Sequence, residues 1–153
     1  MKRYFRKLLV VLFPMTVLML NSCGWIEFET SDNGDLDGYW HLVSVDTLST
    51  GGTLDVSEKR TFWSIQATLL QVYSLDINGG QRYISRFTYE DNKIKLEGMR
   101  THNRADGDPV VEDVSVLTQY GIHELSESFV VESLSSSRMT LRSEGYRLWY
   151  KKM

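Results

Sequence analysis

Along residues 37–153, apolar and polar positions alternate in short runs separated by turn residues, the two-residue period of half-buried β-strands. The first run, 39–46, puts Trp40 and Leu42 on one face. Gly51 and Gly52 break the chain before the longest run, 62–77. There Trp63, Ile65, Ala67, Leu69, Tyr73, Leu75 and Ile77 share one parity, with Ser64, Gln66, Thr68, Ser74 and Asp76 on the other. A run of this length needs a bend or supplies two strands. Asn78-Gly79-Gly80 is a hairpin signal, Tyr83, Phe87 and Tyr89 then share a face, and Asp91-Asn92 turns into 93–99 with Ile94 and Leu96 inward.

After a loop over 101–112, Asp113 can cap a short helix that points Val114, Leu117 and Tyr120 one way and ends at Gly121. Three further strands are predicted at 129–134, 138–143 and 146–151, joined by the serines of 135–137 and by Glu144-Gly145. The whole predicts an all-β fold: an antiparallel up-and-down meander of 7–8 strands closing into a barrel, with one short helix. Closure is favoured because it removes the sheet's edges.

The first twenty-two residues follow another pattern. Lys2, Arg3, Arg6 and Lys7 precede an uncharged stretch over 8–20, a basic region followed by an apolar one, as in a signal peptide. As a helix this stretch would extend only ~20 Å, short of the roughly 30 Å hydrocarbon core, and Pro14 interrupts it. Next comes Leu20-Asn21-Ser22-Cys23. These four residues resemble the lipobox of bacterial lipoproteins, with Asn21 a looser fit than the usual small or aliphatic residue. The resemblance implies cleavage after Ser22 and a diacylglycerol thioether on Cys23, with the new amine often acylated as well. Two or more acyl chains anchor a protein stably where one binds only marginally. The expected organisation is a signal peptide at 1–22, an acidic tether at 23–36 and a barrel domain at 37–153.

Composition narrows the classes further. Cys23 is the only cysteine, which excludes a disulfide framework and any Cys-cluster metal site. Removing residues 1–22 leaves 13 Lys and Arg against 20 Asp and Glu, a formal charge of −7. Such a field repels phosphate backbones and anionic head groups, so no nucleic-acid partner is expected, and lipid rather than a basic patch is expected to hold the membrane. Glu27, Glu29 and Asp32 loosely resemble the acidic surface-export signal of Bacteroidetes lipoproteins. The expected address is the cell envelope, anchored to the outer membrane, with the periplasmic and surface leaflets both open.

Gly38-Tyr39-Trp40, at the start of the first strand, resembles the Gly-x-Trp of lipocalins, in which the tryptophan packs across one barrel end. With the meander that follows and the closing pair 139–142 and 146–150, the stretch 36–153 resembles the small lipocalin-like lipoproteins of Bacteroides and relatives. The resemblance implies structural roles for Gly38 and Trp40, and an arginine of the last strand over the tryptophan. Arg147 is the matching candidate, and Arg142 competes. Separately from the resemblance, the aromatics Trp63, Tyr73, Tyr83, Phe87 and Tyr89 sit on predicted strands and, if inward, either line a pocket or fill it, and are the candidate ligand-lining residues. This chain departs from the family in having a barrel of only about 115 residues and no long helix before the last strand. A barrel that small can be filled by its own side chains, and close packing favours the filled version.

The remaining constellations are weak. Asn33, Asp35, Asp37 and Gly38 match positions 1, 3, 5 and 6 of a calcium loop, but Ser44 stands where the bidentate Glu belongs. His41, His102 and His123 have no partner at metal-ligand spacing, so no metal site is expected; His102 is notable only for its loop with Asp106 and Asp108. No Gly-x-Ser-x-Gly occurs, the serines of 135–137 lie in a turn, and pairs such as Asp106 and Asp108 or Glu112 and Asp113 sit in loops where carboxylates are simply hydrated. The expectation is a non-enzymatic protein without a cofactor: a binding module for a small apolar ligand or, alternatively, an envelope interaction and assembly protein with a filled barrel. The second reading would use the acidic outer face and the loop 101–112.

Overall fold

A computed structural model of the chain describes residues 31–77 and 80–153. The signal peptide, the cleavage after Ser22, the lipidation of Cys23 and most of the Asn78-Gly79-Gly80 turn therefore lie outside the described residues. The strands are β1 (Gly38–Thr47), β2 (Gly52–Asp55), β3 (Thr61–Gln66), β4 (Leu69–Ser74), β5 (Arg82–Glu90), β6 (Lys93–Leu96), β7 (Arg100–Thr101), β8 (Ser128–Leu134), β9 (Arg138–Arg142) and β10 (Tyr146–Lys152). Their pairing is antiparallel in the order β10-β9-β8-β6-β5-β4-β3-β1, and β10 also pairs with β1, which closes the ring. β2 and β3 share one edge of β1, and β6 and β7 share one edge of β5, so each pair is one interrupted stave. The result is a closed antiparallel barrel of eight staves, as the alternation predicts.

The long run 62–77 is two strands. Trp63 and Ile65 face inward from β3, and a two-residue turn at Ala67 and Thr68 sets Ile65 opposite Leu70. That turn exchanges the inward parity, so β4 buries Leu70, Val72 and Ser74, while Leu69 and Leu75 are exposed and Tyr73 lies on the outer face. No glycine or asparagine announces the turn; Ala67 adopts φ +51° there. The β5–β6 turn is the conventional case, with Asp91 and Asn92 both at positive φ between the paired Glu90 and Lys93. Tyr83 and Phe87 face inward from β5 and Ile94 and Leu96 from β6, as the pattern predicts.

Besides the single 3-10 turns η1 (Gly34–Leu36) and η2 (Arg104–Asp106), the expected helix after Asp113 is a pair of 3-10 turns, η3 (Val114–Val116) and η4 (Thr118–Tyr120). The Asp113 side chain accepts from Ser115 N, and Gly121 is left-handed at φ +80°. This segment packs into the barrel instead of lying on its surface: Leu117, Tyr120 and Ile122 are fully buried, and Nε1 of Trp63 donates to the Tyr120 carbonyl at 2.9 Å. Gly121 is needed for the fit, since a Cβ there would stand 2.8 Å from Cδ1 of Leu148 on β10. Trp63, Phe129 and Tyr150 meet at centroid distances of 5.3–5.4 Å and fill the middle of the barrel.

The end at which β1 starts is closed. A 3-10 turn, η1 (Gly34–Leu36), brings fully buried Leu36 beneath Trp40, and Nε1 of Trp40 donates to the Leu36 carbonyl at 2.8 Å. Residues 31–36, expected to end the tether, thus pack as part of the barrel unit, which begins at Ser31. Asn33, the first position of the calcium-loop match, donates through Nδ2 to the Ala67 carbonyl and to Oδ1 of Asp37, and so pins this segment to the β3–β4 turn.

Candidate functional site

At the other end, where β1 and β4 finish and β3 and β10 begin, the interior opens into a cavity of about 560 Å³. A register shift in β1 between Leu42 and Ser44 shapes it. Before this bulge the even residues Trp40 and Leu42 point inward; after it Val45 packs on the core and Thr47 lines the cavity. Leu42, Val45, Leu54, Val56, Ile77 and Tyr146 supply the apolar wall. Thr61, Ser74, Thr118 and Gln119 supply neutral polar groups, and Lys59 and Asp76 stand at the rim. This division, mostly apolar with a few polar groups, suits the binding of a small organic molecule.

The cavity's inner wall carries His123, stacked on Tyr146 with ring centroids 3.7 Å apart and planes 12° from parallel. Burial pushes the His123 imidazole below its ordinary pKa, which favours the neutral ring, and its Nε2 makes no hydrogen bond with the described residues. Behind it, Oε2 of Glu127 accepts from the backbone N–H of His123 at 2.6 Å and of Glu124 at 3.3 Å. Glu127 is only 4% exposed, and this burial raises its carboxyl pKa despite those two donors. The carboxyl therefore shapes the 123–127 turn without lining the cavity.

The candidate site residues divide by depth and by face. Trp63, Tyr83 and Phe87 are buried core groups of the filled middle, and Tyr83 meets Tyr120 edge-on at 5.8 Å. Tyr89 is partly buried against the core, with its hydroxyl 3.5 Å from Oδ1 of Asn92. Tyr73 belongs to an outer-face cluster with Tyr39 and Phe62, and the Arg82 guanidinium lies 5.3 Å from its ring centroid. None of these five lines the mouth cavity. Periodicity alone does not reveal this lining, because Val45 is brought round by a bulge, and Lys59 and His123 by loops that carry no periodic signal.

The closed end differs from expectation in its cation. Trp40 is fully buried, but the charge over its ring is Nζ of Lys152, 4.8 Å from the centroid, and not Arg147. Arg147 and Arg142 lie on the outer face, where both pair with Glu132, at 2.6 Å and 2.9 Å. Position 152 is in register with Trp40 across the β1–β10 seam, whereas Arg147 is opposite Asp46 at the far end of that seam. His41 donates through Nε2 to the Lys59 carbonyl at 2.6 Å. Among the described residues, no group of three His, Cys, Asp or Glu is placed to hold a metal ion, and no helix is long and apolar enough to cross a membrane.

The barrel is thus an eight-stave meander closed through its first and last strands, with the Gly38-Tyr39-Trp40 plug at one end and the cavity at the other. Residues 17–153 match the family model described as a lipocalin-like domain. The chain belongs to the lipocalin-like domain family. A solved lipocalin-like protein from Bacteroides uniformis ATCC 8492 superposes with a TM-score of 0.60 at 23% identity, covering 78% of this chain and 100% of that one. An uncharacterized protein from Bacteroides eggerthii DSM 20697 gives 0.58 at 20% identity, covering 76% and 98%. At these identities the likeness establishes the fold of the lipocalin-like barrel. No curated protein matches the sequence.

Proposed function

We propose that this lipocalin-like protein is a lipid-anchored binding module of the cell envelope that holds a small apolar ligand in the barrel mouth. The observation that carries the binding reading is the cavity of about 560 Å³, walled by Leu42, Val45, Val56 and Tyr146 above a filled core. Its size falls within the roughly 300–1,000 Å³ of ordinary ligand pockets. The anchoring reading rests on Leu20-Asn21-Ser22-Cys23 after a basic and then an apolar stretch.

Residues 31–153 form a compact unit with their own core and can be studied alone. Native mass spectrometry of this unit, purified from its own host without detergent, is expected to show a bound small molecule that is lost in Val45→Trp, which fills the cavity. A bare mass, together with no thermal stabilisation by any member of an apolar ligand series, would remove the binding reading. For the anchor, metabolic labelling of the full chain with an alkynyl fatty acid is expected to mark the wild type and leave Cys23→Ser unlabelled. A labelled Cys23→Ser chain would rule the assignment out.

A second reading, an envelope interaction protein, is favoured by one observation: the outer-face stack of Tyr39 on Phe62 at 4.9 Å, flanked by Tyr73 and exposed Leu75. A stoichiometric partner recovered from intact envelopes, and lost in Tyr39→Ser/Tyr73→Ser, would support it.

A further inference from the structure

Resting on the reading of Cys23 as a lipid anchor, we propose that the outer face of β9 and β10 docks on the anionic head groups of the bilayer that holds the anchor, with the Trp149 indole at the interface. The formal charge of −7 from Cys23 onward is unevenly spread. β9 and β10 carry five of the 13 Lys and Arg and no Asp or Glu. Salt screens charges beyond about 8–10 Å at ordinary ionic strength, so a bilayer meets the local charge of this face rather than the sum over the chain.

The register of the two strands concentrates the charge further. Arg138 lies directly opposite Lys151 and Arg142 directly opposite Arg147, with Trp149 opposite Thr140 between the two pairs. Like charges set opposite each other on a sheet repel, and an anionic partner relieves that cost. Arg142 and Arg147 share Glu132, whereas Arg138 and Lys151 have no ion-pair partner among the described residues. On the neighbouring β1, Asp46 accepts from Nε1 of Trp149 at 2.8 Å, so the indole's polar group is satisfied while the residue stays 41% exposed. An indole flanked by cations suits a head-group boundary, where the ring meets apolar atoms and the charges meet phosphates.

The tether enters beside the same face. Nζ of Lys152 donates to the Asp35 carbonyl at 2.8 Å and the N–H of Met153 to the Tyr39 carbonyl at 2.9 Å, so residues 31–36 join the barrel at the end where β10 finishes and β9 begins. The carboxylates of Asp32, Asp35 and Asp37 at that end form no ion pair with the five cations. From Cys23 to Ser31 is a step of eight residues, at most about 29 Å of extended chain. A domain held that close turns one side to the bilayer, and the basic face adjoins the tether.

Residues 31–153 lack the anchor and so report on the face alone, and in this unit Trp40 and Trp63 are fully buried, which leaves Trp149 as the exposed tryptophan. Sedimentation with sucrose-loaded vesicles is expected to show binding to mixed phosphatidylglycerol and phosphatidylcholine and none to phosphatidylcholine alone, with a blue shift of tryptophan emission on binding. Arg138→Gln/Lys151→Gln should weaken this binding roughly 25-fold, about fivefold for each charge. Both residues are exposed and outside any ion pair, so the double substitution does not threaten the fold. Equal binding to the two kinds of vesicle, no binding to either, or binding that survives the double substitution would overturn the docking face. Binding without a shift in emission would overturn it too, by putting another surface against the lipid. Self-association of the unit that the double substitution abolishes, in place of vesicle binding, would give the face to a second copy and end the membrane assignment. None of these results touches the anchor, which the labelling of Cys23 decides separately; a failed labelling would take down the anchor while the vesicle result still decides the face.

Discussion

A Cβ at position 38 would stand 2.3 Å from Cε of Lys152, and Gly38 has φ +142°, where L side chains are strained. The glycine of Gly-x-Trp thus makes room for the lysine stem that crosses the end of the barrel. Lys152 then donates through Nζ to the Asp35 carbonyl at 2.8 Å and lies over Trp40. A cation over an indole in such a setting contributes about 0.5–1 kcal/mol. Gly38→Ala is expected to cost about 1–3 kcal/mol through overpacking, and markedly less when Lys152→Ala has already removed the stem. A double-mutant cycle in urea measures this, and strictly additive costs would show that the two positions do not compete for space. Gly38 and Trp40 were legible as a pair because they sit on one strand with a family spacing. The cation was not, because register across the β1–β10 seam selects it, and that seam joins opposite ends of the sequence.

At the scale of elements, the β3–β4 hairpin shows what alternation can and cannot reveal. The alternation of 62–77 runs through Ala67 with no turn residue, and the only mark of the turn is Leu69-Leu70, after which Leu70 and Val72 are apolar on the other parity. A tight two-residue connection nevertheless leaves the strand period intact while reversing which parity faces inward. Leu69 and Leu75 are exposed and Tyr73 lies outside for this reason, and tertiary closure tolerates them there because Leu70 and Val72 fill the core. Ala67 holds an unfavourable φ of +51°. Ala67→Gly should therefore stabilise the domain by roughly 0.5–1 kcal/mol, read as a higher urea midpoint at unchanged m-value. An unchanged or lower midpoint would mean that the turn bears no such strain. The bulge in β1 has the same character: one additional residue re-aims Val45 and Thr47 into the mouth. In contrast, the η3–η4 segment was announced by Asp113 and Gly121, though not that it would plug the barrel.

For the whole molecule, stability against pH sums groups that pull in opposite directions. Asp46, Asp76 and Glu132 are held below their ordinary pKa, chiefly by donors from Trp149, the Arg60 backbone and Arg147 respectively, so their contribution is complete above pH 4.5 and lost as pH falls through their folded values. Burial lowers His123 from 6.5, so the neutral ring's contribution is lost as pH falls below that value. Glu127 acts in the other sense. Its burial-raised pKa means that the folded state keeps the proton more tightly, so stability is greatest below 4.5 and is lost as pH climbs through the folded value. Glu127→Gln keeps an oxygen for the N–H groups of His123 and Glu124 while removing this titration. Its melting temperature relative to wild type should rise as pH increases above 4.5, and a difference flat from about pH 4 to 8 would show that Glu127 does not titrate abnormally. By itself the sequence determined a meander of seven or eight strands, its hairpin order, the antiparallel sense, the inward faces of the first half of β1 and of β5 and β6, and the plug residue Trp40, because period, turn chemistry and apolar burial are local properties. Only the tertiary structure decided which cation covers Trp40, how β4 faces, and that the mouth is walled by Val45, Val56, Lys59 and His123. These depend on register across the closing seam, on one bulge and on loop paths, where contacts between distant residues override the local pattern.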